Sequence, residues 1–251
     1  MSQSEPSVLR VEHARKAFGS LIAVNDVSFS VEQGEIFGIA GPNGSGKSTL
    51  FNIISGVPFA ADAGRFILAG QDVTGLRAHL RFRRGLARTF QTETAFDCLS
   101  VEENIDLARV YGPDNPEEAY GVAEALELSK ISRHTAEMNA GEISVFDKKK
   151  LMIATAVVAR PKLLMLDEPA AGLTKTEIDE LREVIVELNR AGISIVLVEH
   201  VLPLLLSVAQ RVLVLNQGEE VMTGPPDEMI KDPRVIEAYL GRKGHDRVSA
   251  A

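Results

Sequence analysis

Apolar and polar positions along this 251-residue chain change their period several times. Val27, Phe29 and Val31 alternate with Ser28 and Ser30, the period-two pattern of a strand with one buried face. Residues 8–11, 35–40 and 65–68 also read as strands, with Gly34 at a turn. Residues 47–55 read as a helix ended by Gly56 and Pro58. Helices are predicted over 101–110 and 117–128, separated by Pro113 and Pro116, and over 147–159, stopped by Pro161. The clearest amphipathic helix is 174–190, where Ile178, Leu181, Ile185 and Leu188 share one face and Gly192 follows. Residues 162–166, 193–198 and 211–215 are apolar runs suited to strands buried on both faces. Strands alternating with helices imply parallel βαβ units. The early strands and the proline-broken helices around 100–140 read as additions to that core.

Composition narrows the class. Hydrophobic residues make up 45% and charged residues 25%, enough for a substantial core. The net charge of −8 argues against nucleic acid as the main partner. The single cysteine, Cys98, cannot form an internal disulfide and reads as a small core residue. No apolar run reaches the ~20 residues of a membrane helix. The polar, acidic start has no signal-peptide core, so a membrane role is expected through a partner. Residues 1–7 and 243–251 are expected to be flexible.

Residues 41–48 carry the candidate chemistry. Gly41, Pro42, Asn43, Gly44, Ser45, Gly46, Lys47 and Ser48 fit G-x-x-x-x-G-K-[ST] between a predicted strand and a predicted helix. Glycines let the backbone curl so that N–H groups face phosphate oxygens, and the helix start adds positive potential. Lys47 would reach the β- and γ-phosphates of a nucleoside triphosphate. Ser48 would hold Mg²⁺, and Thr49 would lie near the α-phosphate. Such a loop needs an acid on a neighbouring strand. The buried run 163–166 ends in Asp167 and Glu168. Asp167 would contact Mg²⁺ through water, and Glu168 would act as general base. His200 ends the next strand and would sense the γ-phosphate.

With these motifs in place, the chain resembles ABC transporter ATPase subunits, most of all those of branched-chain amino-acid importers. The resemblance covers residues 9–241. It implies an α/β P-loop NTPase fold with a RecA-like parallel-sheet core, an N-terminal antiparallel β subdomain and a helical subdomain. A single domain over 8–242 is expected, with the helical part at 92–160. Residues 18–24 resemble the adenine-stacking element, with Phe18 as the ring and Val24 beside it. Ala87-Arg88-Thr89-Phe90-Gln91 resembles the Q-loop, in which Gln91 would ligate Mg²⁺ and couple to the membrane subunit. Members of the family build head-to-tail dimers that trap two ATP molecules and drive two integral membrane permeases. In importers a periplasmic solute-binding protein delivers the solute. The expected location is cytoplasmic, on the inner face of a bacterial membrane.

The family signature, Leu-Ser-x-Gly-Gln, should face the partner's ATP. Counting back from Asp167 gives Ile143-Ser144-Val145-Phe146-Asp147, with Ala140-Gly141 upstream supporting that register. Ser144 is kept, Val145 takes the variable place, Phe146 replaces Gly and Asp147 replaces Gln. The expectation is that the Phe146 ring blocks backbone approach to phosphate and that Asp147 repels it. Lys148, Lys149 and Lys150 read as a solvated face. Thr174 stands where the family usually has Asn or Asp. A heterodimer with a second ATPase subunit is therefore favoured over a homodimer.

Overall fold

The computed structural model describes residues 7–90, 94–112 and 119–240. The chain opens with β1 (Ser7–Phe18) and β2 (Leu21–Glu32), two strands of twelve residues each. They join β4 (Ala63–Leu68) and β5 (Gln71–Asp72) in an antiparallel sheet ordered β2-β1-β4-β5. β1 is far longer than the strand expected at 8–11, because its outer half pairs with β2 through bulges rather than through apolar alternation.

A second sheet has six strands in the order β10-β9-β3-β8-β7-β6. They are β3 (Ile36–Ala40), β6 (Leu86–Arg88), β7 (Leu163–Asp167), β8 (Ser194–Val198), β9 (Arg211–Asn216) and β10 (Glu219–Gly224). The first five named are parallel to their neighbours, and β10 closes one edge antiparallel to β9. Successive side chains enter opposite cores. Leu164, Leu166, Ile195, Leu197, Val212 and Val214 pack on one face. Met165, Val196, Val198, Leu213 and Leu215 pack on the other. The uninterrupted apolar runs follow from this two-sided burial.

On the first face lie α6 (Val145–Val157), α7 (Lys175–Arg190) and α8 (Leu202–Val208). Leu181, Val184, Ile185 and Leu188 of α7 are fully buried there, each stabilising the fold by about 1.5–3 kcal/mol. Thr174 caps α7, its hydroxyl accepting from Glu177 N–H while Glu177 accepts from Thr174 N–H at 2.7 Å. On the second face lie α1 (Lys47–Ser55) and the antiparallel sheet. The buried guanidinium of Arg81, in α2 (Ala78–Arg83), donates to the carbonyls of Ile53 and Ile54 and so closes the end of α1.

A third cluster is drawn from residues 101–158, and Cys98, expected in the core, is instead exposed just before it. It involves α3 (Val101–Tyr111), α4 (Val122–Leu128), α5 (Arg133–Glu137) and α6. α4 starts five residues later than expected, with Gly121 in extended conformation at its N-cap. Residues 117 and 118 lie outside the described residues. α9 (Pro226–Met229) and α10 (Pro233–Leu240) complete the chain. Among the described residues no helix is long and apolar enough to cross a membrane.

Candidate nucleotide site

β3, an interior strand, delivers the chain to the carboxyl end of the six-stranded sheet, and residues 41–46 turn it into α1. Two glycines are obligatory. A Cβ on Gly41 would sit 2.3 Å from the Leu215 carbonyl oxygen, and one on Gly46 would sit 2.3 Å from that of Ala23. Both have positive φ, at 149° and 105°. The first bond within the helix runs from Leu50 N–H to Gly46 O at 2.8 Å. The N–H groups of Lys47, Ser48 and Thr49 precede it, and no side chain caps the helix. Gly44, Asn43 and Ser48 are exposed, whereas Ser45 is buried. These are the donors that receive an anion at a helix start. Lys47 folds back over the loop, its Nζ donating to Gly41 O at 2.8 Å and Pro42 O at 3.0 Å. Burial lowers its pKa, and nearby Glu168 pulls it back up, so Lys47 and Glu168 share one electrostatic environment.

β7 and β3 flank β8, so the acids and the histidine arrive beside the loop from adjacent strand ends. Asp167 Oδ2 pairs with Arg88 Nη2 at 2.7 Å, both side chains about 8% exposed. Desolvation raises the Asp167 pKa, with Arg88 opposing it. Glu168 has φ of 48°, a left-handed conformation costing on the order of 1–3 kcal/mol for such a residue. That turn directs its carboxylate to His200, with Oε1 2.7 Å from Nε2. Glu168 is 14% exposed and His200 42%. A strained acid held against an accessible imidazole can polarise a water brought beside it.

Phe18 ends β1 with its ring 44% exposed and edge-on to Phe59 at 5.0 Å. The Lys16 ammonium lies over the ring, 5.4 Å from its centre, and the rest of the exposed ring can meet a planar base. Val24 is a correction: it is fully buried in the core beneath the antiparallel sheet and offers no surface to a ligand. Gln91 lies outside the described residues. Its neighbours Thr89 and Phe90 follow β6, and Thr89 N–H donates to Met165 O at 2.9 Å.

The signature segment is also corrected. Ser144 is the N-cap of α6, not a free hydroxyl: it accepts from Asp147 N–H at 3.0 Å and donates to Asp147 Oδ2 at 2.8 Å. Phe146 is 6% exposed and packs inward, so its ring does not stand over the surface. The exposed apolar residue there is Val145, at 57%. Lys150 is buried, pairing with Asp147 Oδ1 at 2.7 Å and lying 4.7 Å from the Phe146 ring centre. It is not part of a solvated face, because the helix turns it toward the carboxylate one turn earlier.

Two residues escaped the sequence reading. Arg88 was visible only as part of the Q-loop run. Its guanidinium also donates to Asn52 Oδ1 at 2.7 Å and Ser55 Oγ at 2.8 Å, between the rings of Phe51 and Phe90. It thus ties α1, β6 and Asp167 together. Glu199 is 1% exposed and accepts from the N–H groups of Ala170 at 2.6 Å, His200 at 3.1 Å and Val201 at 3.2 Å. It joins the loop after Glu168 to the loop carrying His200. An acid in an apolar strand end was its only sequence signal.

An open helix start with a lysine folded over it, facing a carboxylate pair and a histidine on neighbouring strands, defines a P-loop ATPase. Residues 24–171 match the family model described as ABC transporter. Residues 221–245 match that of the branched-chain amino acid ATP-binding cassette transporter. The chain is 33% identical to the high-affinity branched-chain amino acid transport ATP-binding protein BraF of Pseudomonas aeruginosa, over 93% of this chain and 98% of that protein. It is 35% identical to LivG of Escherichia coli K12, over 95% and 99%. The ADP conformation of the cassette MJ1267 superposes with a TM-score of 0.83 at 31% identity, covering 94% of this chain and 99% of that one. The chain belongs to the ATP-binding subunits of ABC transporters, and it binds and hydrolyses ATP.

Proposed function

We propose that this chain energises import of branched-chain amino acids or similar small polar solutes as one half of an ATPase heterodimer. The heterodimer would dock on two integral membrane permeases at the cytoplasmic face of a bacterial membrane, with a periplasmic binding protein supplying the solute. The reading rests on one contrast: the Glu168–His200 pair, in contact at 2.7 Å, lies close enough to the phosphate loop for Glu168 to act on Lys47, whereas Ser144 and Lys150 are both bonded to Asp147. The names of BraF and LivG support the solute class. Exposed Phe96, Val110 and Tyr111 cluster in the region of α3 and suit an apolar contact with a permease.

In the proposed cycle, phosphate oxygens draw Lys47 from the Gly41 and Pro42 carbonyls, and the amides at the start of α1 hold the triphosphate. Phe18 stacks on the base. Glu168 orients and polarises water, while His200 leaves the carboxylate to meet the γ-phosphate. Ser48, Asp167 and Gln91 would hold Mg²⁺, which neutralises phosphate charge when bound. One carboxylate and a hydroxyl beside phosphates fit that ion. Among the described residues no group of three His, Cys, Asp or Glu forms a cage of its own. The loop from Ala170 to Thr174 would pass the change to the partner. Residues 92–160 are proposed as the helical subdomain that presents the α6 start to the partner's ATP.

The test is ATP hydrolysis by the purified chain alone and with a second ATPase subunit and permeases in proteoliposomes. Slow hydrolysis alone, raised at least about tenfold on assembly, is expected. Rapid cooperative hydrolysis by the chain alone would overturn the heterodimer, and failure of assembled vesicles to accumulate leucine, isoleucine or valine would remove branched-chain amino acids and leave other small polar solutes.

A further inference from the structure

The amide of Gly41, at the head of the phosphate loop, donates to the phenol oxygen of Tyr239 at 2.7 Å across 198 positions of sequence. Tyr239 lies in α10, its ring packed against the core that contains Met229 and Val235. We propose that Tyr239 is a positioning residue for nucleotide binding, and that through it helix α10 responds to whether the phosphate loop is filled.

Gly41 is hemmed in. It has left the sheet, since the β3 pairing with β9 ends at Ala40 and Val214. A Cβ there would strike both Leu215 O and, at 2.6 Å, Ser45 Oγ. Its peptide groups are then held from two sides, N–H by Tyr239 and carbonyl by the Lys47 ammonium. Lys47 is the partner that a phosphate competes for, because an ammonium bonds an anionic oxygen more strongly than a neutral carbonyl. Once Lys47 turns to phosphate, the Tyr239 hydroxyl is the side-chain group still fixing Gly41 among the described residues. Burial raises the phenol pKa and keeps it neutral, the form with a proton to donate while it accepts from Gly41. A bond that matters more in the filled loop than in the empty one couples the two by the same factor in each direction. Nucleotide should therefore steady α10, and loss of the hydroxyl should weaken nucleotide binding.

Tyr239→Phe removes one oxygen and keeps the packed ring. Calorimetric titration of the full chain with Mg-ADP and Mg-AMP-PNP should give Kd values raised about five- to tenfold, the effect of one buried hydrogen bond. Amide hydrogen exchange across 233–240 in the wild type should slow on adding either nucleotide, and that response should vanish in the variant. Unchanged Kd values, within about twofold, would overturn the proposal even if Tyr239→Phe lowers the melting temperature, for the bond would then be structural only. Wild-type exchange indifferent to nucleotide would overturn it without recourse to the variant, which keeps the question decidable should Tyr239→Phe fold poorly.

Discussion

At the start of α1 the polar groups are left open, while at the start of α6 they are closed on one another. Both are helix N-termini suited by their backbone to hold phosphate. α1 has glycine at its cap and no acid in its first turn. α6 has a serine cap occupied by Asp147 N–H, and the Asp147 carboxylate is itself neutralised by Lys150. The difference lies in what satisfies the end groups before any ligand arrives. At α6 the Ser144 side chain satisfies the N–H of Asp147, whereas at α1 no side chain satisfies an N–H of the first turn. In a dimer that places each α6 start against the partner's phosphate loop, this chain would bring one competent half and one self-satisfied half.

The largest effect should come from the competent half. In the proposed heterodimer, Glu168→Gln should lower kcat about 10²- to 10⁴-fold with Mg-ATP affinity unchanged. Steady-state hydrolysis beside equilibrium titration separates the two, and a variant retaining a large share of its turnover would remove Glu168 from the role of base. Phe146→Gly, which restores the family residue at the other end, should cost about 3–5 kcal/mol of unfolding free energy, because it empties a core position. Urea unfolding measures that, and nucleotide titration of the isolated chain should show no change. A neutral Phe146→Gly would mean that the ring is not holding α6 to the sheet. The smallest effect is expected at Phe18. Phe18→Ala should weaken nucleotide binding about fivefold, near the low end for base–aromatic stacking, since the ring's edge already leans on Phe59. Equal affinity for both proteins would show that the base stacks elsewhere.

Much of the competent half was legible before the fold was known. The phosphate loop is contiguous in sequence, its glycines answer local steric demands, and the helix it opens runs over the residues expected, 47–55. Asp167 and Glu168 follow a strand whose apolar run reports burial on both faces. The signature end was legible only as a departure. Replacement of Gly by Phe146 suggested a ring blocking the surface, because the direction of a side chain at a helix start depends on which way the helix packs. Val24 failed for the same reason: its neighbours place it near an aromatic element, but the pleat turns it inward.

The sequence by itself determined the phosphate loop, the acidic strand end, the apolar strands and the face of α7, all of which follow from residues a few positions apart obeying local backbone geometry. Only the tertiary structure decided that Arg88 clasps Asp167, that Glu199 pins two loops, that Phe146 points inward and that Tyr239 holds Gly41. Those contacts join residues brought together by the order of strands in the sheet and the packing on its faces. No local period carries that information.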